Sequence, residues 1–155
     1  MKWKALRPYV VSVVLVLALS GIVGWITSDA MGLYEAAAKS PLTPPSSVFP
    51  IVWTILYILM GVGAAMVWRT DFPGRNRALK VYGLQLLVNL IWSILFFNLQ
   101  MYGFAFFWLL LLLVLIAVMI SLFWRVSPTA AILQIPYLIW VAFASYLAYS
   151  IWVLN

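Results

Sequence analysis

Apolar residues along this chain gather into five long runs, each closed by a short polar or proline- and glycine-bearing segment. The runs cover about residues 9–27, 47–68, 81–98, 104–124 and 130–154. A helix of roughly 17–25 apolar residues crosses about 30 Å of hydrocarbon, and all five runs fit that length. A membrane barrel would instead need strands of about ten alternating residues. The separators "TSDAMGLYEAAAKSPLTPPSS", "RTDFPGRNRALK", "LQMYG" and "RVSPT" carry the breaks. The pattern predicts an all-α membrane protein: one domain over 1–155, folded as a five-transmembrane-helix bundle.

Composition agrees with that class. The chain has 155 residues, 67% hydrophobic and 8% charged, with a mean hydropathy of +1.12; ordinary soluble domains carry about 25% charged residues. The formal charge of +6 is distributed by side. Lys2, Lys4, Arg7, Arg69, Arg75, Arg77, Lys80 and Arg125 fall on one side of the runs, against only Lys39, with Asp29 and Glu35, on the other. Excess Lys and Arg marks the cytoplasmic side, so the N-terminus is cytoplasmic and the C-terminus outside, in an inner or plasma membrane. Basic residues beside spans meet lipid headgroups; without a basic face or an aromatic platform outside the spans, no nucleic-acid partner is expected. "MKWK" with "VLALSG" resembles a signal peptide, but the run is long and no clear A-x-A follows, so it reads as a retained span. No Cys or His is present, which excludes disulfides, thiol chemistry and imidazole catalysis, and no metal site is expected. No Asp, Glu, Lys or Arg falls inside a run. Together with an odd number of spans and no internal repeat, this argues against a coupled transporter.

Nine tryptophans punctuate the runs. Trp3, Trp25, Trp68, Trp124 and Trp152 lie at or beside span ends and Trp108 one turn into the fourth run; these read as an interfacial belt. Trp53, Trp92 and Trp140 sit deeper. At about 1.5 Å per residue, Trp53 lies roughly 10 Å in from Ser46, and Trp92 and Trp140 about 17 and 15 Å from the cytoplasmic starts of their runs. An indole N–H wants an acceptor that lipid lacks, so these rings are expected to face the bundle interior. Tyr57 lies one turn beyond Trp53. In "LQLLVNLIWSILFF", Gln85 and Asn89 are one turn apart, with Trp92 and Ser93 on the same face. Amides at that depth face inward, either to bond neighbouring helices or to meet a ligand. In "PYLIWVAFASYLAY", Trp140, Ala144 and Leu147 form a stripe with Phe143 beside it. The result is an aromatic-walled pocket with a few amide and hydroxyl groups, open toward the outer side and suited to a flat, greasy ligand. The loop 28–46, with Tyr34, Lys39, Pro41, Pro44 and Pro45, is long enough for a lid. Its lysine serves either a plain connector or an anionic ligand tail. Ser20/Gly24, Gly61/Ala65 and Ala144/Ala148 have the spacing of close helix approach, within one bundle or between copies.

The segments "KSPLTPPSSVFPIVWTILYILMGVGAAMVW", "LQLLVNLIWSILFF" and "PYLIWVAFASYLAYSIWVLN" resemble, in order and over about residues 34–155, the tryptophan-rich sensory protein / translocator protein family (TspO/MBR, or peripheral-type benzodiazepine receptors). The resemblance implies a five-helix bundle, a homodimer, and binding of tetrapyrroles such as protoporphyrin IX and of isoquinoline or benzodiazepine drugs, with no required cofactor. In some bacterial relatives it also implies light- and oxygen-dependent porphyrin breakdown. By position, Tyr34, Trp53, Asn89, Trp92, Trp140 and Ala144 would form the pocket. Trp53 and Trp140 would be the photochemical pair, supplying stacking surfaces and oxidisable rings while the ligand carries the chemistry. Leu42 stands where the family often has Trp, Leu147-Ala148 where it often has Leu-Asn, and no Lys or Arg follows Tyr149. Sterol recognition of the eukaryotic kind is therefore not expected; a bacterial inner-membrane member is. The rival readings are a facilitated carrier of porphyrins or similar amphiphiles, and a non-catalytic interaction subunit whose tryptophans only pack the bundle.

Overall fold

A computed structural model describes residues 2–155. Among the described residues, five helical segments are long and apolar enough to cross a membrane: Lys2–Ala36, Val48–Arg69, Arg75–Asn98, Tyr102–Val126 and Pro128–Leu154. The protein is a multi-pass membrane protein. The first segment comprises α1 (Lys2–Thr27), a 3-10 turn (Ser28–Ala30) and the short α2 (Met31–Ala36). After the outer loop come α3 (Val48–Arg69), α4 (Arg75–Ser93) with a π-helical turn (Ile94–Asn98), and α5 (Tyr102–Val126). The last span is two helices, α6 (Pro128–Leu133) and α7 (Ile135–Leu154).

Helices α1 and α4 begin six or seven residues before the apolar runs do. Their extra turns, "KWKALRP" and "RNRALK", are rich in good helix formers, so helix continues where hydrophobicity stops. The last span breaks at Gln134. Ser127 accepts from the Ala130 N–H at 3.4 Å to cap α6, and Pro136, in the first turn of α7, supplies no N–H to continue the ladder. Across the break, the Gln134 amide donates to the Leu59 carbonyl at 3.1 Å. Gly63 admits that side chain: a Cβ there would collide with the amide nitrogen.

The core is centred on α5. Leu109, Leu112, Ile116, Met119 and Phe123, alternating three and four residues apart, are all fully buried between α4 and α7. That spacing places them on one stripe of the helix. Helices α1 and α3 meet closely in their cytoplasmic halves. There Ser12 donates to the Gly61 carbonyl at 2.7 Å, and a Cβ on Gly61 would lie 2.8 Å from the Val13 Cα. Toward the outer side the two helices leave a cavity between them.

The loop over that cavity is tied down. The Asn155 side chain accepts from the Ala38 N–H at 3.2 Å and donates to the Ala38 carbonyl at 2.9 Å. Ser40 and Tyr146 share a hydrogen bond of 2.8 Å. Lys39 donates to the carbonyls of Tyr34, Glu35 and Ala37 at 2.8–3.0 Å, closing the C-terminus of α2, and its ammonium lies 4.9 Å from the Tyr34 ring centre. This lysine is therefore a staple of the loop itself rather than a free cation awaiting an anionic tail.

Candidate ligand-binding site

A cavity of about 530 Å³ opens in the outer half of the bundle. Its walls come from α1 and α2 (Leu17 to Tyr34), α3 (Phe49, Pro50, Trp53, Thr54, Tyr57), α4 with its π turn (Trp92, Ser93, Phe96, Phe97) and α7 (Trp140, Ala144, Leu147). Aromatic rings run almost unbroken around it. Trp140 meets Phe49 at 5.8 Å between ring centres, Phe49 meets Tyr34 at 6.1 Å, and Tyr34 meets Phe97 at 5.4 Å. Trp92 continues the wall, edge-on to Phe97 and stacked on Phe96 at 5.2 Å. Trp53 lies 6.3 Å from Trp92 and stacks on Tyr57 at 5.5 Å. Such contacts lie within the 4.5–7 Å at which aromatic pairs attract beyond their buried area.

Eight of the eleven residues singled out from the sequence line this space: Tyr34, Trp53, Tyr57, Trp92, Ser93, Trp140, Ala144 and Leu147. Gln85, Asn89 and Phe143 do not. Tyr57 donates to Asn89 Oδ1 at 2.8 Å, Asn89 Nδ2 donates to the Tyr137 hydroxyl at 2.6 Å, and that hydroxyl donates to Gln85 Oε1 at 2.7 Å. Both amides are fully buried, so the interhelical alternative holds and they form a polar floor beneath the cavity. Phe143 points the other way. It lines an apolar groove between α3 and α7 with Val52, Ile55, Leu56, Pro136 and Ile139, and Trp140 belongs to both spaces.

One expectation about the tryptophans also changes. Trp108 is half-buried and donates to the Val88 carbonyl at 2.8 Å, so it ties α5 to α4 instead of serving only as an interface anchor. Trp3, Trp25, Trp68, Trp124 and Trp152 are exposed, as a belt requires. The N–H groups of Trp92 and Trp140 are buried in the wall with no partner among the described residues. Of the small residues at helix-contact spacing, Gly61 packs on Val13, whereas Ser20, Gly24, Ala144 and Ala148 line the cavity.

Sequence reasoning missed Phe49, Phe96, Phe97 and the whole contribution of α1. The phenylalanines carry no polar atom to mark them, and on α1 the Ser20/Gly24 spacing reads as a helix contact rather than as a cavity wall. A family profile described as the TspO/MBR family matches residues 11–153. This chain belongs to the TspO/MBR family. Among its relatives, a tryptophan-rich protein TspO of Chlorobaculum tepidum is 38% identical, covering 79% of this chain and 78% of its own. A tryptophan-rich protein TspO of Archaeoglobus fulgidus is 33% identical over 94% of this chain and 95% of its own. A translocator protein of Ovis aries is 35% identical over 83% and 78%. Each matched stretch exceeds three quarters of both chains, so the TspO/MBR assignment covers the bundle as a whole and not one motif.

Proposed function

We propose that this protein is a receptor for a flat amphiphile of the tetrapyrrole class, protoporphyrin IX foremost, and that the same walls accept isoquinoline- or benzodiazepine-type molecules. The observation that carries the reading is the nearly continuous aromatic wall around a cavity of about 530 Å³. That volume falls within the roughly 300–1,000 Å³ of pockets that bury drug-sized ligands. The macrocycle stacks on Trp53 and Trp140, and Ala144 leaves space for it on α7. The ligand brings its own chromophore; the protein's part is to orient it and to limit its contact with water and dissolved oxygen. If light-driven oxidation by dioxygen follows binding, Trp53 and Trp140 are the oxidisable rings proposed to take part.

Facilitated passage to the cytoplasmic side is supported less well. Tyr57, Asn89, Tyr137 and Gln85 fill the level below the cavity with hydrogen-bonded side chains, and a bulky solute would have to part them. The deciding experiment is a protoporphyrin titration of the purified protein in lipid nanodiscs, read by tryptophan quenching and followed by illumination in air. Wild type is expected to bind saturably. Trp53→Phe and Trp140→Phe are expected to weaken binding several-fold and to slow any porphyrin bleaching. Equal binding and bleaching by both variants would remove these two residues from the mechanism.

A further inference from the structure

The cavity is closed below and above and open on one flank. Below, the polar floor spans from α3 to α4 and α7. Above, the loop is held by the Ala38–Asn155 pair of bonds, the Ser40–Tyr146 bond and the Lys39 staple. Tyr34, nearly buried, seals the underside of the loop against Phe49 and Phe97. Between α1 and α3 the situation is different. Gly21, Gly24, Ser28, Pro50 and Thr54 line the cavity and are at the same time exposed on the outside of the bundle. A Cβ built on Gly21 or on Gly24 meets no atom within 4 Å.

The rim of this gap has the chemistry of a lipid-facing surface. Its hydroxyls are turned back on their own backbone: Ser20 to Leu17, Thr27 to Gly24, Ser28 to Trp25 and Thr54 to Pro50, at 2.7–3.2 Å. Backbone-bonded hydroxyls are tolerated where no water is available, and these leave no donor to hold a water chain across the opening. Thr54 lies about 9 Å along α3 from its outer end, at about 1.5 Å per residue, so the gap faces acyl chains rather than solution.

We infer that the ligand enters and leaves sideways, out of the outer half of the bilayer, through the gap bounded by Gly21 and Gly24 on α1 and Thr54 on α3, while the loop stays shut. The inference rests on reading the cavity as the ligand site, and it narrows the ligand class to planar amphiphiles already dissolved in the membrane. The glycines are then specificity-determining positions, because their missing side chains set the width that a flat molecule can pass.

The route is tested by stopped-flow quenching of tryptophan fluorescence with protoporphyrin IX, using protein in phosphatidylcholine nanodiscs. Gly24→Leu, Gly21→Leu and Thr54→Leu each add bulk at the gap, and at the two glycines the first added carbon meets no atom within 4 Å. They are expected to lower the association and dissociation rates together by tenfold or more, whereas damage to the cavity wall alone would raise the dissociation rate. Tyr146→Phe and Asn155→Ala loosen the loop and are expected to leave both rates within twofold of wild type. Wild-type rates in all three gap variants, or faster exchange in the loosened-loop variants alone, would overturn the lateral route while leaving the site intact. A wild type that shows no saturable quenching would overturn the site and the route with it.

Discussion

Asn89 accepts one bond and donates another in the middle of the membrane, and Tyr137 does the same one step further on. Losing the Tyr137 hydroxyl leaves Asn89 Nδ2 and Gln85 Oε1 without their partner. A buried unsatisfied group costs about 1–3 kcal/mol, although interhelical bonds in membranes average nearer 0.6 kcal/mol. Tyr137→Phe is therefore expected to destabilise the bundle by about 1–2 kcal/mol, or roughly 2–8 °C in melting temperature for a chain of this size. Thermal unfolding in detergent checks this. Porphyrin affinity should change little, since Tyr137 does not line the cavity; a large loss of affinity with no loss of stability would return these polar groups to the site. The direction of Gln85 and Asn89 was legible from depth alone, because lipid cannot satisfy an amide. Their destination was not, because the tyrosines that take them up are distant in sequence and carry nothing to mark them as partners.

Single residues act here through the elements that aim them, and the π turn after α4 shows how. Leu99 bonds back to the Ile94 carbonyl and Met101 to that of Leu95, and Gln100, with φ of +52°, reverses the chain. Such wide turns insert one residue into a helix, frequently at functional sites. Here the turn lets two consecutive phenylalanines, Phe96 and Phe97, line the same cavity. Deleting Leu95 should restore regular helix and take one ring off the wall. An aromatic contact is worth about 0.5–1.5 kcal/mol beyond its area, so protoporphyrin binding is expected to weaken by up to about tenfold. Helical circular dichroism should be unchanged. The five spans were legible as uninterrupted apolar length. The π turn and the break at Gln134 were not, since both lie within runs that hydropathy reads as continuous, and only the tertiary partners of Phe96, Phe97 and Gln134 decide where the ladder gives way.

For the whole molecule, the eight basic residues on one side fix how the bundle sits, and with it which half of the bilayer the cavity occupies. The absence of cysteine makes this directly measurable. Ser47, exposed at the outer start of α3 and making no side-chain cap, and Asn76, exposed beside the basic loop, are suitable single labelling sites. In intact cells a membrane-impermeant maleimide is expected to label Ser47→Cys and to miss Asn76→Cys until the membrane is permeabilised. The opposite pattern would invert the molecule and put the cavity in the cytoplasmic half.

At Trp140 the wall between the cavity and the groove of α3 and α7 is one side chain thick. The indole thus insulates as well as stacks: on the α7 side, that ring separates whatever occupies the cavity from the groove. Its N–H has no partner among the described residues, so packing and not a directional bond keeps the screen in place. Shortening the side chain would join two compartments that the fold keeps apart. A weakened ligand in such a variant would then report a leak to the lipid as much as a lost contact.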